Sequence, residues 1–186
     1  MAYSYPITIE HIYISPGHNY FGKPKDGPGL HPTPDVAAVE VRAGLGLVGD
    51  RYYGVPAHYE AQVTFFAVEV FDALLAEFQR EDLTPILTRR NIVTRGVNLN
   101  QLIGQEFTIT SEQGTASFAG TKPCNPCAWM DAMLGKGAHA FLRGRGGLRA
   151  RILTSGTLYR GPATLTSEKW LDPATISEPL SRPRLP

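Results

Sequence analysis

Gln62-Val63-Thr64-Phe65-Phe66-Ala67-Val68 runs directly into Glu69-Val70-Phe71-Asp72-Ala73-Leu74-Leu75-Ala76-Glu77-Phe78-Gln79, and the change of pattern inside this stretch sets the reading of the rest. The first seven residues are almost continuously apolar and rich in β-formers, the mark of a buried strand. From Glu69 the period changes: Val70, Phe71, Leu74, Leu75 and Phe78 fall on one helical face, which makes this the clearest helix of the chain.

Outward from it, β-rich segments dominate. Ile7–Ile14 reads as a strand ended by Ser15-Pro16-Gly17, and Val36–Val41 as a short one. Residues 16–35 between them are so rich in Pro and Gly that no regular element fits, and a loop of that length in a compact domain is usually functional or mobile. Ile86–Thr94, Glu106–Thr110, Thr115–Ala119, Leu148–Leu153 and Ala163–Thr166 complete the set, separated by Gly-containing turns. At least seven strands and two or three short helices are expected, without regular helical crossovers and without internal repeats. Such strands close on themselves more easily than they form a parallel sheet, so the predicted class is mainly β (α+β), a closed or partly closed β-barrel with a few short helices. Residues 1–171 form one domain in this reading. Residues 172–186, with four Pro and little apolar material, form a tail lying on the surface or on a partner subunit, which leaves room for a homodimer.

Composition excludes several function classes. Among 186 residues, 18 Lys+Arg against 17 Asp+Glu leave a net charge of +1, too little cationic excess to point to nucleic acid or an anionic membrane. No apolar run reaches the ~20 residues that span a bilayer, and MAYSYPITIEHI lacks the pattern of a secretory signal, so the expected address is the cytoplasm. Nineteen Gly and fifteen Pro argue against a helix bundle.

Only two cysteines occur, Cys124 and Cys127, in Lys122-Pro123-Cys124-Asn125-Pro126-Cys127-Ala128-Trp129-Met130-Asp131. Asn125 suits an N-cap and Pro126 the first helical position, with Ala128–Leu134 continuing to Gly135 as the stop. That places Cys127 in the first helical turn, where the dipole favours a thiolate, and makes it a candidate nucleophile or soft-metal ligand. Structural zinc needs four ligands, and no second Cys-x-x-Cys or close His pair is present. A thioredoxin-type dithiol shares the spacing but expects a βαβ context. Two buried cysteines acting as small hydrophobes are a further reading.

Thr88-Arg89-Arg90-Asn91-Ile92-Val93 is the second candidate, because guanidinium groups grip phosphate or carboxylate in bidentate fashion. The competing reading has both arginines solvated or paired with Asp50 or Glu69. Gly44-Leu45-Gly46-Leu47-Val48-Gly49-Asp50-Arg51-Tyr52-Tyr53-Gly54 lets backbone approach a ligand, or is a turn fixed by an Asp50–Arg51 ion pair; it is not a dinucleotide fingerprint. Leu142-Arg143-Gly144-Arg145-Gly146-Gly147-Leu148-Arg149-Ala150-Arg151 adds amides and charge suited to phosphate, or is an exposed turn. The five histidines show no ligand spacing; His18 and His31 lie in the long loop, within reach of a pocket.

In order, Gly49-Asp50-Arg51, Gln62-Val63-Thr64, Arg89-Arg90-Asn91-Ile92-Val93 with Gly96-Val97, Leu102-Ile103-Gly104, Pro126-Cys127 and Gly147-Leu148-Arg149-Ala150-Arg151 resemble the MOSC domain, the molybdenum cofactor sulfurase C-terminal domain, in its small stand-alone bacterial form. The resemblance implies a barrel related to the pyruvate kinase barrel domain and a cysteine that binds or carries sulfur for the molybdenum cofactor (molybdopterin). Its Pro-Cys step falls on Pro126-Cys127. Cys127 is then the catalytic thiolate and metal ligand, and Cys124 an auxiliary thiol able to resolve a persulfide or disulfide. Arg89, Arg90 and Asn91, with Asp50, Arg51 and Arg145, are the expected cofactor-binding residues. The activities implied are reduction of N-hydroxylated small-molecule substrates with an electron-donor protein, or sulfur carriage fed by a cysteine desulfurase. Pyridoxal phosphate would come only through that separate partner.

Overall fold

In the computed structural model, residues 1–180 are described. Ten strands and three helices follow in order: β1 (Tyr3–Ile12), β2 (Ala38–Arg42), β3 (Gly46–Leu47), β4 (Val63–Ala67), α1 (Val68–Phe78), β5 (Ile92–Arg95), β6 (Glu106–Thr110), β7 (Thr115–Pro123), α2 (Trp129–Leu134), α3 (Ala138–Phe141), β8 (Leu148–Ile152), β9 (Gly156–Tyr159) and β10 (Gly161–Ser167). Seven strands close a barrel in the order β1-β10-β6-β7-β8-β4-β5 and back to β1, while β3-β2-β9 form a small separate sheet. Every barrel pairing is antiparallel except β4 with β5. That exception follows from connectivity: parallel neighbours need a crossover, and α1 supplies it.

The interior is filled by alternating inward residues. Phe65, Phe107 and Phe118 meet with ring centres 5.1–5.5 Å apart, two of the three pairs edge-on. Such contacts add about 0.5–1.5 kcal/mol per pair beyond burial alone. A second apolar cluster lies outside the barrel wall, where Val70, Phe71 and Leu74 of α1 pack with Phe66, Val93, Trp129, Met130 and Leu134. Strand β4 serves both, sending Phe65 to the first cluster and Phe66 to the second, which explains its unbroken apolar run.

The closed barrel is mainly β with few short helices, as the strand count predicts. One expected segment differs in kind, and two short strands are added. Ile86–Thr94 is not one strand: Pro85–Thr88 is a 3₁₀ turn in which the Thr88 hydroxyl donates to the Pro85 carbonyl (2.7 Å), and Arg89 takes a left-handed φ of 58° before β5 starts. Pro85 at the first turn position presets that geometry. The two short Gly-led strands β3 and β9 read as turns in sequence and exist because both pair with β2 or its sheet. The Pro-rich tail is held by its own chain as far as it is described: Gln101 is hydrogen-bonded to Asp172 and Thr175, and the Leu180 N–H donates to the Gly144 carbonyl (2.8 Å). Residues 181–186 of that tail lie outside the described residues. Among the described residues no helix is long and apolar enough to cross a membrane.

Candidate functional site

Asn91 sits just ahead of β5 and ties three segments together. Its Oδ1 accepts from the Thr64 N–H (3.1 Å) and the Thr64 hydroxyl (2.9 Å), and its amide nitrogen donates to the Tyr13 carbonyl (3.1 Å) and Asp50 Oδ2 (3.3 Å). Asp50, buried behind Asn91, also accepts from the Ser15 and Tyr52 N–H groups (3.2 Å each) and from Arg51 Nη1 (3.4 Å). The Asp50–Arg51 pair therefore fixes a turn, the plainer of the two sequence readings, and at the same time holds a guanidinium in place.

Four arginines converge here. Arg89 donates to Thr33 Oγ1 and to the Gly17 carbonyl (3.2 Å), which pins the ends of the long 16–35 loop over the site. Arg90 donates from Nε to the Gly146 carbonyl (2.8 Å) and from Nη1 to the Thr88 carbonyl (2.9 Å). Arg149 projects from β8, with Thr64 opposite it on β4. Among the described residues only Arg51 of these four has a carboxylate partner. Carbonyl and hydroxyl acceptors orient Arg89 and Arg90 without cancelling their charge. Burial, followed by the neighbouring Arg51, pulls the Arg89 guanidinium below its ordinary value. The cluster is cationic and half-buried, and an anion would relieve both effects.

The walls are aromatic. Tyr20, from the long loop, stacks on Trp129 at 5.0 Å and donates its hydroxyl to the Leu87 carbonyl (2.8 Å). Burial pushes its phenol up to about 12, with Arg89 acting against this and Cys127 reinforcing it, and the Arg89 guanidinium lies over the ring at 5.8 Å. Tyr52 stacks on His58 at 3.7 Å and meets His18 edge-on at 6.3 Å. Both imidazoles are held below their ordinary value, by burial first and then by the guanidiniums: Arg51 and Arg89 for His18, Arg149 and Arg51 for His58.

Cys124 and Cys127 complete the cleft, Cys124 buried and Cys127 exposed. Cys127 does not lie in a first helical turn. α2 begins at Trp129, and the Cys127 carbonyl accepts from the Met130 N–H (2.9 Å) in the turn that leads into it. Neither Asn125 nor Pro126 starts the helix; Cys127 stands in the turn immediately ahead of it, with helical backbone angles beginning at Ala128. Gly146 explains how closely this loop packs: a Cβ there would meet the Cys124 carbonyl oxygen at 2.1 Å, and one on Gly147 (φ 102°) would meet the Phe65 carbonyl oxygen at 2.3 Å.

The enclosed volume is about 240 Å³. That is below the ~300–1,000 Å³ of sites that engulf a ligand, so a larger molecule would leave part of itself in the mouth. Of the residues expected at the site, Cys124, Cys127, Arg51, Arg89, Arg90 and Asn91 line one cleft. Asp50 stands behind its wall. Arg145 is elsewhere: it donates to the Ser177 carbonyl (3.1 Å) and lies over the Phe141 ring at 4.2 Å, serving the tail. Sequence reasoning held Arg149 only as part of the basic stretch 142–151 and singled out Arg145 from it, although the place of Arg149 between buried Leu148 and Ala150 on a strand marks it as facing the other way. It also passed over Tyr20 and His58, which carry no local signal, and held Tyr52 only as part of the glycine-rich stretch 44–54. Among the described residues no three metal-ligating side chains cluster. A bare ion has no cage here, whereas a metal arriving with most of its ligands needs one thiolate.

Comparison with known proteins agrees with this picture. The family model described as MOSC domain matches residues 32–163. The chain is similar in structure to the YUAD protein from Bacillus subtilis, at 14% identity and a TM-score of 0.70 over 91% of this chain and 100% of that one. It is also similar to YiiM from Escherichia coli (16% identity, TM-score 0.57, 95% and 75% of the two chains) and YiiM from Geobacillus stearothermophilus (14%, 0.59, 86% and 74%). At such identities these likenesses speak for the fold alone. No curated protein sequence matches the chain. The family model spans more than two thirds of the residues, and on that ground the chain belongs to the MOSC domain family.

Proposed function

We propose that this cleft binds the molybdenum cofactor and that the protein is an oxidoreductase reducing N-hydroxylated small molecules. The MOSC family is associated with that cofactor, and the residues present suit it. One exposed soft thiol, Cys127, shares a cleft with Arg51, Arg89, Arg90 and Arg149, and the Arg51 Nε is buried without a hydrogen-bond partner. The observation that carries the reading is this convergence of a thiol with guanidiniums of which three, Arg89, Arg90 and Arg149, lack a carboxylate partner among the described residues, since a pterin–dithiolene metal with a terminal phosphate needs one soft ligand and one cationic cradle.

In this assignment Cys127 Sγ ligates the metal, and Arg89, Arg90 and Arg149 hold the phosphate. Asn91 and Asp50 position Arg51 and the β4–β5 junction without touching ligand charge. His18 and His58 offer hydrogen bonds without adding cation, and the Tyr20–Trp129 stack excludes water from one wall. When bound, the cofactor supplies a metal that exchanges two electrons and takes an oxygen atom from the substrate. The net change converts an N–OH group into N–H and water, with two electrons from an external donor protein and two protons from solvent. The test is reduction of an N-hydroxylated amidine by cofactor-loaded protein with a reduced viologen dye as donor. Turnover that disappears in Cys127→Ala supports the reading; turnover equal in that variant and the wild type contradicts it.

The exposure of Cys127 also favours a second reading, in which the thiol receives persulfide sulfur from a cysteine desulfurase working with pyridoxal phosphate and passes it on. A one-sulfur adduct on Cys127 after incubation with desulfurase and cysteine is its signature, and no adduct at either cysteine excludes it.

A further inference from the structure

We propose that Cys124 and Cys127 form a reversible thiol–disulfide pair, oxidised by low-molecular-weight disulfides that carry carboxylates. The Proposed function leaves Cys124 without a task, yet this thiol lines the same cleft three positions from the exposed one. Exposure orders the chemistry. Cys124 is 2% exposed and unreachable from solvent, whereas Cys127 is open.

The surroundings name the oxidant class. Arg89, Arg90 and Arg149 have no carboxylate partner among the described residues, so a disulfide bearing carboxylates meets charge in its favour beside Cys127. They also fix which end of the pair is held. The Cys124 N–H donates to the Gly147 carbonyl (2.8 Å), its carbonyl is covered by Gly146, and Gly146 is itself gripped by Arg90. Asn125 and Cys127 are exposed and Pro126 is half-buried, so closing the bridge moves residues 125–127 and leaves Cys124 in place.

The steps balance. The Cys127 thiolate attacks one sulfur of the external disulfide, the S–S bond breaks, and one small thiolate leaves and takes a proton from water. The mixed disulfide on Cys127 is then attacked by Cys124 Sγ, which loses its proton to solvent, and the second small thiol is expelled. The protein loses two electrons and the external disulfide becomes two thiols. A bridged Cys127 cannot ligate a metal. That consequence rests on the cofactor reading; the bridge itself does not.

The experiment incubates the full chain, reduced and metal-free, with glutathione disulfide, quenches in acid and measures intact mass with peptide mapping. The expected wild-type product is the chain lacking two hydrogens, bridged between Cys124 and Cys127, with almost no glutathione retained. In Cys124→Ser, and in Cys124→Ala as a second variant, glutathione is retained on Cys127 in most of the chains. In Cys127→Ser the one remaining thiol, Cys124, does not react. A wild type that accumulates the same stable mixed disulfide as the Cys124 variants, or one that stays fully reduced, overturns the proposal. A wild type that bridges under glutathione disulfide but never retains molybdenum overturns the cofactor reading and leaves the bridge standing.

Discussion

Thr64 and Asn91 hold each other by three hydrogen bonds: the Thr64 N–H and hydroxyl both donate to Asn91 Oδ1, and the Asn91 N–H donates to Thr64 Oγ1, all between 2.9 and 3.1 Å. This knot joins the only parallel pair of barrel strands at the point where Arg89 and Arg90 leave the chain. Asn91→Ala strands a strand N–H and removes the donor to Asp50. At about 1–3 kcal/mol for each buried group left unpaired, a loss of roughly 2–4 kcal/mol is expected in urea unfolding. Asn91→Asp keeps the acceptor oxygen but sets a second carboxylate beside Asp50, and should lose as much.

Arg89 and Arg90 differ from Arg145 in what they face. A charged hydrogen bond contributes about 1.5–3 kcal/mol, so Arg89→Ala or Arg90→Ala should weaken binding of the pterin cofactor, followed by its fluorescence, by roughly 10–100-fold. Arg145→Ala should leave that affinity unchanged and instead lower the thermal midpoint, because its bond to Ser177 ties down the tail.

Gly146→Ala would drive a Cβ into the Cys124 carbonyl. A backbone atom cannot swing aside as a side chain can, so the loop carrying both cysteines must move, together with the carbonyl that Arg90 grips. A destabilisation of roughly 1–3 kcal/mol by denaturant melt is expected, with faster alkylation of Cys124 by a thiol reagent than in the wild type.

The cationic cleft makes the ligand-free protein acid-sensitive. His18 and His58 have folded values below their ordinary 6.5, so the folded state binds fewer protons than the unfolded one. Their contribution to stability is complete above pH 6.5 and is lost as pH falls through that value toward the folded ones. The thermal midpoint should therefore drop between pH 7 and pH 5, less steeply in a His18→Gln, His58→Gln double variant. Inorganic phosphate should restore more stability at the lower pH, because each imidazolium formed adds charge facing the anion.

Local pattern made the barrel legible and left the cleft half-legible. Glu106–Thr110 keeps the same bounds in sequence and structure because Phe107 and Ile109 alternate inward with Glu106 and Thr108 outward, a signal that needs no knowledge of neighbours. β3 and β9 are held by pairing with β2, which no window of sequence displays. Asn125 and Pro126 satisfy every rule for a helix start, yet the turn through Cys127 and Met130 delays the helix to Trp129. The basic stretch 142–151 announces charge without direction: the register of β8 against β4 turns Arg149 into the cleft, and the turn before β8 sends Arg145 to the tail. Tyr20 and His18 arrive from the long loop, whose path is set by Arg89 contacts with residues 56 and 72 positions away.

The central claim is that Cys127 and the Arg89–Arg90 guanidiniums together hold a molybdenum–pterin group. The direct measurement is the molybdenum and pterin content of the wild type, Cys127→Ala and an Arg89→Ala, Arg90→Ala double variant, each purified from a host that makes the cofactor. The wild type should carry metal and pterin in equal amounts, Cys127→Ala should lose most of its metal, and the double variant should lose both. A wild type devoid of molybdenum and pterin, or a Cys127→Ala protein that carries as much of both as the wild type, would contradict it.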